Sequence, residues 1–302
     1  MNILINKEKI NFTLQNEKTL GDVVKGVEEW MRQSNFIITS LKADERELMD
    51  EPMERWAKLP LSSIEGLDIK AELLKEIKYA NLETVSSFLD ILSTGLEKQD
   101  KNALDQILSN YNYMLESLKT IFGRSIITTI GQIILEIEKL LTGSTVEILI
   151  NWPAGIKSKM LHSIDFIQNK LQGRIKEYTT PLESLKETAS ELKCSALEIG
   201  EVSLLLQTGK DNKAMEYIIR FSELTEKASR LLTHLQDTGD ISLEKEKIGE
   251  DASIIDFFKS LNAKLNELIN AFMVKDMVLI GDLLEYEIAP RLEQLVSFID
   301  RY

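Results

Sequence analysis

A chain of 302 residues with 43% hydrophobic content is long enough for about two domains of roughly 100–200 residues each. Its formal net charge of -13 excludes broad electrostatic docking on nucleic acid or an anionic membrane, because either polyanion would repel it. The single cysteine, Cys194, excludes an internal disulfide and fits a reducing compartment.

The start, Met1-Asn2-Ile3-Leu4-Ile5-Asn6-Lys7-Glu8, lacks the basic and then long apolar pattern of a secretory signal, so the expected location is the cytoplasm. Ile3-Leu4-Ile5 and Ile10-Asn11-Phe12-Thr13-Leu14 flank the polar stretch Asn6-Lys7-Glu8-Lys9 and predict a β-hairpin. Thr19 followed three residues later by Asp22 predicts a capped helix start. Spacings of three and four then place Leu20, Val23, Val24, Val27, Trp30 and Met31 on one face, with Asn35 ending the helix. Phe36 to Leu41 predicts a third strand, Lys42 to Glu45 a turn, and Leu67 to Ala71 a last strand.

Hairpin, helix, strand, turn and strand follow one another over residues 1–72 in an order that resembles the β-grasp, or ubiquitin-like, fold. Ubiquitin-like modifiers and sulfur carriers end in a free Gly-Gly that is activated chemically. Here the last strand runs on into Glu72-Leu73-Leu74-Lys75, so the resemblance implies a docking platform and no carrier activity.

From residue 73 to 302 the pattern is helical, with amphipathic segments at 73–98, 101–122, 125–142, 156–178, 181–208, 211–236, 252–274 and 277–300. Gly123, Gly143, Pro153, Gly155, Gly173, Pro181, Gly209 and Gly239 punctuate them. The region 173–181 offers a subdivision, and the polar run 237–251 a flexible connection. The most apolar stretch, Ile126 to Ile150, carries Glu136, Glu138, Lys139 and Glu147, which makes it core helix and no membrane span.

Three helix junctions share a device: Lys98-Gln99-Asp100, Lys210-Asp211 and Lys275-Asp276. Apolar residues follow each Asp at offsets of three, four, seven and eight. They are Ala103, Leu104, Ile107 and Leu108, then Ala214, Met215, Ile218 and Ile219, then Leu279, Ile280, Leu283 and Leu284. The physical reading is an αα-hairpin whose second helix is N-capped by Asp and buries one stripe. The expected architecture is therefore α+β: a β-grasp-like module followed by a predominantly all-α region of antiparallel helical hairpins or bundles. Such hairpins, with Phe88-Leu89-Asp90-Ile91-Leu92 ahead of the Asp100 turn, also bear a similarity to bacterial flagellar export chaperones.

Chemistry-bearing patterns are sparse. His162 and Asp165 stand three apart on a helix without a second His, and His234 sits near a helix C-terminus, where its partial charge is welcome. Cys194 reads as a buried thiol. Gly209-Lys210-Asp211 lacks the upstream glycine and the Ser/Thr of a phosphate loop. No catalytic residue, metal ligand or cofactor is assigned. The acidic run around Asp282, Glu285 and Tyr286 reads as solvated helix or as a partner-binding patch with Tyr286 as its aromatic anchor. Phe257, Phe258, Phe272 and Tyr286 on the C-terminal helices suggest protein contact, including a homodimer. Pro290 predicts a bend or a fresh helix start. The expected function is non-catalytic protein binding, as a scaffold or adaptor. The alternatives are an export chaperone and a metal-dependent enzyme assembled from scattered carboxylates.

Overall fold

A computed structural model describes residues 1–10, 17–123, 128–243, 246–248 and 252–302. The second half of the expected hairpin, parts of the 125–142 segment and parts of the 237–251 connection fall outside the described residues. The chain divides into two compact units, Met1–Ile175 and Lys176–Tyr302.

The first unit opens with β1 (Asn2–Ile5) and β2 (Glu8–Ile10), then α1 (Leu20–Gln33), β3 (Phe36–Ala43), β4 (Arg46–Glu47), α2 (Met53–Trp56) and β5 (Gly66–Leu73). The five strands form one mixed sheet in the order β2-β1-β5-β3-β4, with β1 and β5 parallel and the other pairs antiparallel. Both tight turns put two residues in left-handed backbone, the first of a type that tolerates it: Asn6 before Lys7 between β1 and β2, Asp44 before Glu45 between β3 and β4. Asp44 also accepts from the amides of Glu65 and Gly66, which ties that turn to the start of β5.

α1 begins as its sequence predicts. The Thr19 hydroxyl accepts from the Asp22 amide, and the Asp22 carboxylate accepts from the Thr19 amide. That hydroxyl also donates to Asp22, which holds its carboxyl below the ordinary carboxylate range. Leu20, Val23, Val24, Val27 and Met31 are buried against Ile3, Leu41, Leu67 and Ile69 of the sheet. Trp30 corrects the expected face: it is 53% exposed, because it stands one step beyond the stripe that Val27 and Met31 close. Gly21 is required by close approach, since a Cβ there would lie 2.9 Å from both the Cβ and the carbonyl oxygen of Ala57. Thr19→Ala is expected to cost about 1 kcal/mol of helix stability, read as faster hydrogen exchange at α1 amides. The Asp22 contribution is present above the unfolded carboxylate pKa and lost as pH falls through the depressed folded value.

β5 passes directly into α3 (Leu74–Lys98), followed by α4 (Lys101–Phe122), α5 (Thr129–Leu141), α6 (Val146–Ile150) and α7 (Ala154–Thr179), in which the division between units falls. Leu82, Val85, Leu89, Leu92 and Leu96 of α3 are buried, as are Leu104, Ile107, Leu115 and Leu118 of α4. α6 has no counterpart in the sequence reading: at five residues, capped by Thr145, it is too short to show a period.

The second unit holds α8 (Pro181–Gln207), α9 (Asp211–Asp237), a short β6–β7 pair (Lys247–Ile248 with Ala252–Ser253) and α10 (Ile254–Val274). A last helical run follows, made of α11 (Met277–Asp282), a π-helical segment (Leu283–Ile288) and α12 (Ala289–Ile299). One core joins them, with Phe221, Leu231, Leu232, Leu261, Leu292 and Phe298 at its centre. Where composition suggests a loose connection, Ile241, Leu243 and Ile248 enter that core.

Pro290 acts through the π-helical segment. Proline has no N–H to give the carbonyl four residues back, and the turn before it widens: the Ala289 amide donates to the carbonyl of Leu284, five residues back. The Arg291 guanidinium reaches the carbonyl and the carboxylate of Glu287, at 2.6 and 2.7 Å.

Candidate functional site

The three Asp turns can be compared directly. Gln99 and Lys275 take the same left-handed conformation, with φ 55° and 57°, and the next amide, of Asp100 or Asp276, donates to a carbonyl five residues back. Asp100 caps α4 through the amides of Asn102 and Ala103, and Asp276 caps α11 through the amide of Leu279. The middle turn corrects the expected pattern. Gly209 takes the left-handed position, Asp211 is already the first helical residue, and its side chain makes no cap bond.

The stripes after the turns are only partly buried. Leu104 and Ile107 are in the core after the first Asp, and Ala214 after the second, where Met215 and Ile219 face solvent. After the third, Ile280, Leu283 and Leu284 are buried and Leu279 is exposed.

Surface chemistry separates the third turn from the other two. Around Asp100 the flanking positions hold Glu97, Lys98, Lys101 and Asn102; around Asp211 they hold Thr208, Gly209, Asn212 and Lys213. Around Asp276 the same four positions hold Met273, Val274, Met277 and Val278, and three of these, Met273, Val274 and Val278, are 76%, 73% and 74% exposed. Ile269 on α10 and Leu279 on α11 extend the apolar surface. Gly281 lies against Ser203 of α8, which brings α11 to the end of α8 where Leu204 is also exposed. The same turn forms with polar flanks at Asp100, so it does not need apolar ones for folding. The exposed Met, Val and Leu side chains at this turn are therefore not explained by the turn geometry.

The residues singled out from the sequence are dispersed. Phe257 is corrected from a contact residue to a core one: it is 5% exposed and packs edge-on to Phe258, which is itself half-buried, as is Phe272. The helical stripe that buries Ile254 and Leu261 also carries Phe257 inward. Asp282, Glu285 and Tyr286 are exposed, and Tyr286 projects 67% into solvent. The neighbouring Glu285 carboxylate pushes its phenol above the ordinary range, with Asp282 adding to the effect. Cys194 is another correction, for its thiol is exposed: Leu192, Ser195, Ala196 and Ile199 take the inward positions of α8. His162 is exposed, with its ring Nδ1 2.7 Å from the Ser158 carbonyl. His234 stacks at 4.8 Å from Tyr178.

Among the described residues no group of three or more His, Cys, Asp or Glu is placed to hold a metal ion, and no helix is long and apolar enough to cross a membrane. Lys7, Lys42 and Lys70 surround Asp68 in an open concavity on the sheet. A second concavity lies between Thr180–Glu183 and Tyr302, whose phenol is pushed up to about 12, first by burial.

Comparison with known proteins bears on two segments. No curated protein and no solved structure matches the chain. Residues 1–72 match the family described as TP0873 N-terminal domain, which covers the mixed-sheet module, and residues 183–297 match a domain of unknown function, DUF8042, which covers α8 to α12 in the second unit.

Proposed function

We propose that this is a non-catalytic scaffold or adaptor that works through protein–protein contact in the cytoplasm. The α10–α11 tip is its docking surface and the β-grasp-like head a second platform. The observation that carries the reading is that Met273, Val274, Met277 and Val278 stand where the like turn at Asp100 holds Glu97, Lys98, Lys101 and Asn102. Sheet order, with parallel β1 and β5 at the centre, supports the β-grasp likeness of the head. The lone cysteine fits a reducing compartment.

A photo-crosslinking side chain at the tip, Val278→benzoylphenylalanine, tests the reading in living cells of the native host. The expected result is a discrete crosslinked polypeptide that is absent when the same probe replaces Asn102 at the equivalent position of the first turn. No crosslink, or crosslinking to lipid alone, would remove the tip as a protein-docking surface.

A further inference from the structure

The apolar tip carries one charged pair at its centre. Lys275 makes no ion pair among the described residues, and Asp276 uses its carboxylate only to cap α11 through the amide of Leu279. Both lie between Met273, Val274, Met277 and Val278, so any surface that covers the tip must also accept one cation and one anion side by side. A lipid bilayer does this badly, because both charges would leave water without partners and the chain's net charge of -13 is repelled by anionic headgroups.

A second copy related by a two-fold axis does it well. In such an isologous contact residue i meets j while j meets i, so Lys275 of each copy faces Asp276 of the other and two ion pairs form inside an apolar surround. The interface is self-complementary with no further residue. Ile269, Met273, Val274, Met277, Val278 and Leu279 are all exposed, so each copy surrounds the charged pair with apolar side chains.

Resting on the reading of the tip as a protein-docking surface, we propose that its occupant is a second copy of this chain, joined through the α10–α11 turns by reciprocal Lys275–Asp276 pairs. Sedimentation equilibrium of the purified full chain reads this directly. The wild type is expected to show a reversible monomer–dimer equilibrium. Val278→Asp, at a surface position that folding does not use, is expected to weaken it by about tenfold or more through like-charge and desolvation cost. Asp276→Asn keeps the helix cap, since asparagine caps as well as aspartate, but removes the pair, and is expected to weaken the dimer several-fold and reduce its salt sensitivity. Tyr286→Ala, away from the turn, is expected to leave it unchanged.

A wild type that stays monomeric into the high micromolar range overturns the proposal, as does a dimer indifferent to Val278→Asp or one broken by Tyr286→Ala. A monomer whose tip crosslinks to a different protein overturns the second copy and leaves the docking reading standing. A monomer with no crosslink overturns both. Co-sedimentation of the monomer with phosphatidylcholine vesicles would assign the tip to lipid and overturn both as well.

Discussion

Arg230→Met is expected to destabilise the second unit by about 1.5–3 kcal/mol, the usual worth of hydrogen bonds to a charged group. The Arg230 guanidinium grips the Glu177 carboxylate with two nitrogens, Nε to Oε2 at 3.2 Å and Nη2 to Oε1 at 3.1 Å. The Glu177 side chain is only 9% exposed, so these two bonds support a charge held mostly out of water. A third bond, Nη1 to Glu226 at 2.6 Å, reaches a carboxylate that is 68% exposed and contributes little. The pair ties the last turn of α7 to α9. Calorimetry of Arg230→Met against Arg230→Met with Glu177→Leu separates the two terms. The double variant is expected to recover most of the loss, because apolar side chains of similar size replace a buried pair at little net cost. A double variant as unstable as the single one would mean that packing of the Arg230 stem and around Glu177, and not the bonds between the two charges, sets the penalty.

Much of the fold was legible because helix ends are local. Thr19 and Asp22, Asp100 and Asp276, and Gly209 all act within five residues of their own positions, so the chain announces them directly. The mixed sheet was legible from alternation and element order. What periodicity cannot report is which neighbour covers an apolar stripe. Val27 and Met31 find the sheet while Trp30 does not; Phe257 finds the core; Met215 and Ile219 meet solvent although they occupy the offsets that Leu104 and Leu108 occupy after the first turn. Cys194 failed for the same reason in reverse, since α8 had enough small and apolar residues to fill its inward side without it. The apolar character of the α10–α11 turn is legible in its flanks. Aligning the three Asp turns by their flanks, and not only by the stripes that follow, separates Met273-Val274 and Met277-Val278 from Glu97-Lys98 and Lys101-Asn102. The π-helical turn before Pro290 was not legible, because a missing amide can be met by a kink, a break or a widened turn, and packing of α12 on α8 decides among them.

Gly281→Ala is expected to destabilise the second unit by about 2 kcal/mol, within the usual range for overpacking, although local propensity alone predicts the opposite sign. Gly281 is helical, and replacing a helical glycine by alanine ordinarily gains about 1 kcal/mol. Here a Cβ would lie 2.6 Å from Ser203 Oγ, which must rotate away, and 3.1 Å from Ser203 Cβ, so α11 must also give by a few tenths of an ångström against α8. The sign of the measured change therefore reports which effect wins. Ser203→Gly removes both clashing atoms, and in that background Gly281→Ala is expected to become neutral or stabilising. Thermal unfolding of the four proteins in the cycle gives the coupling directly. If Gly281→Ala is harmless with Ser203 in place, α11 does not depend on this close approach.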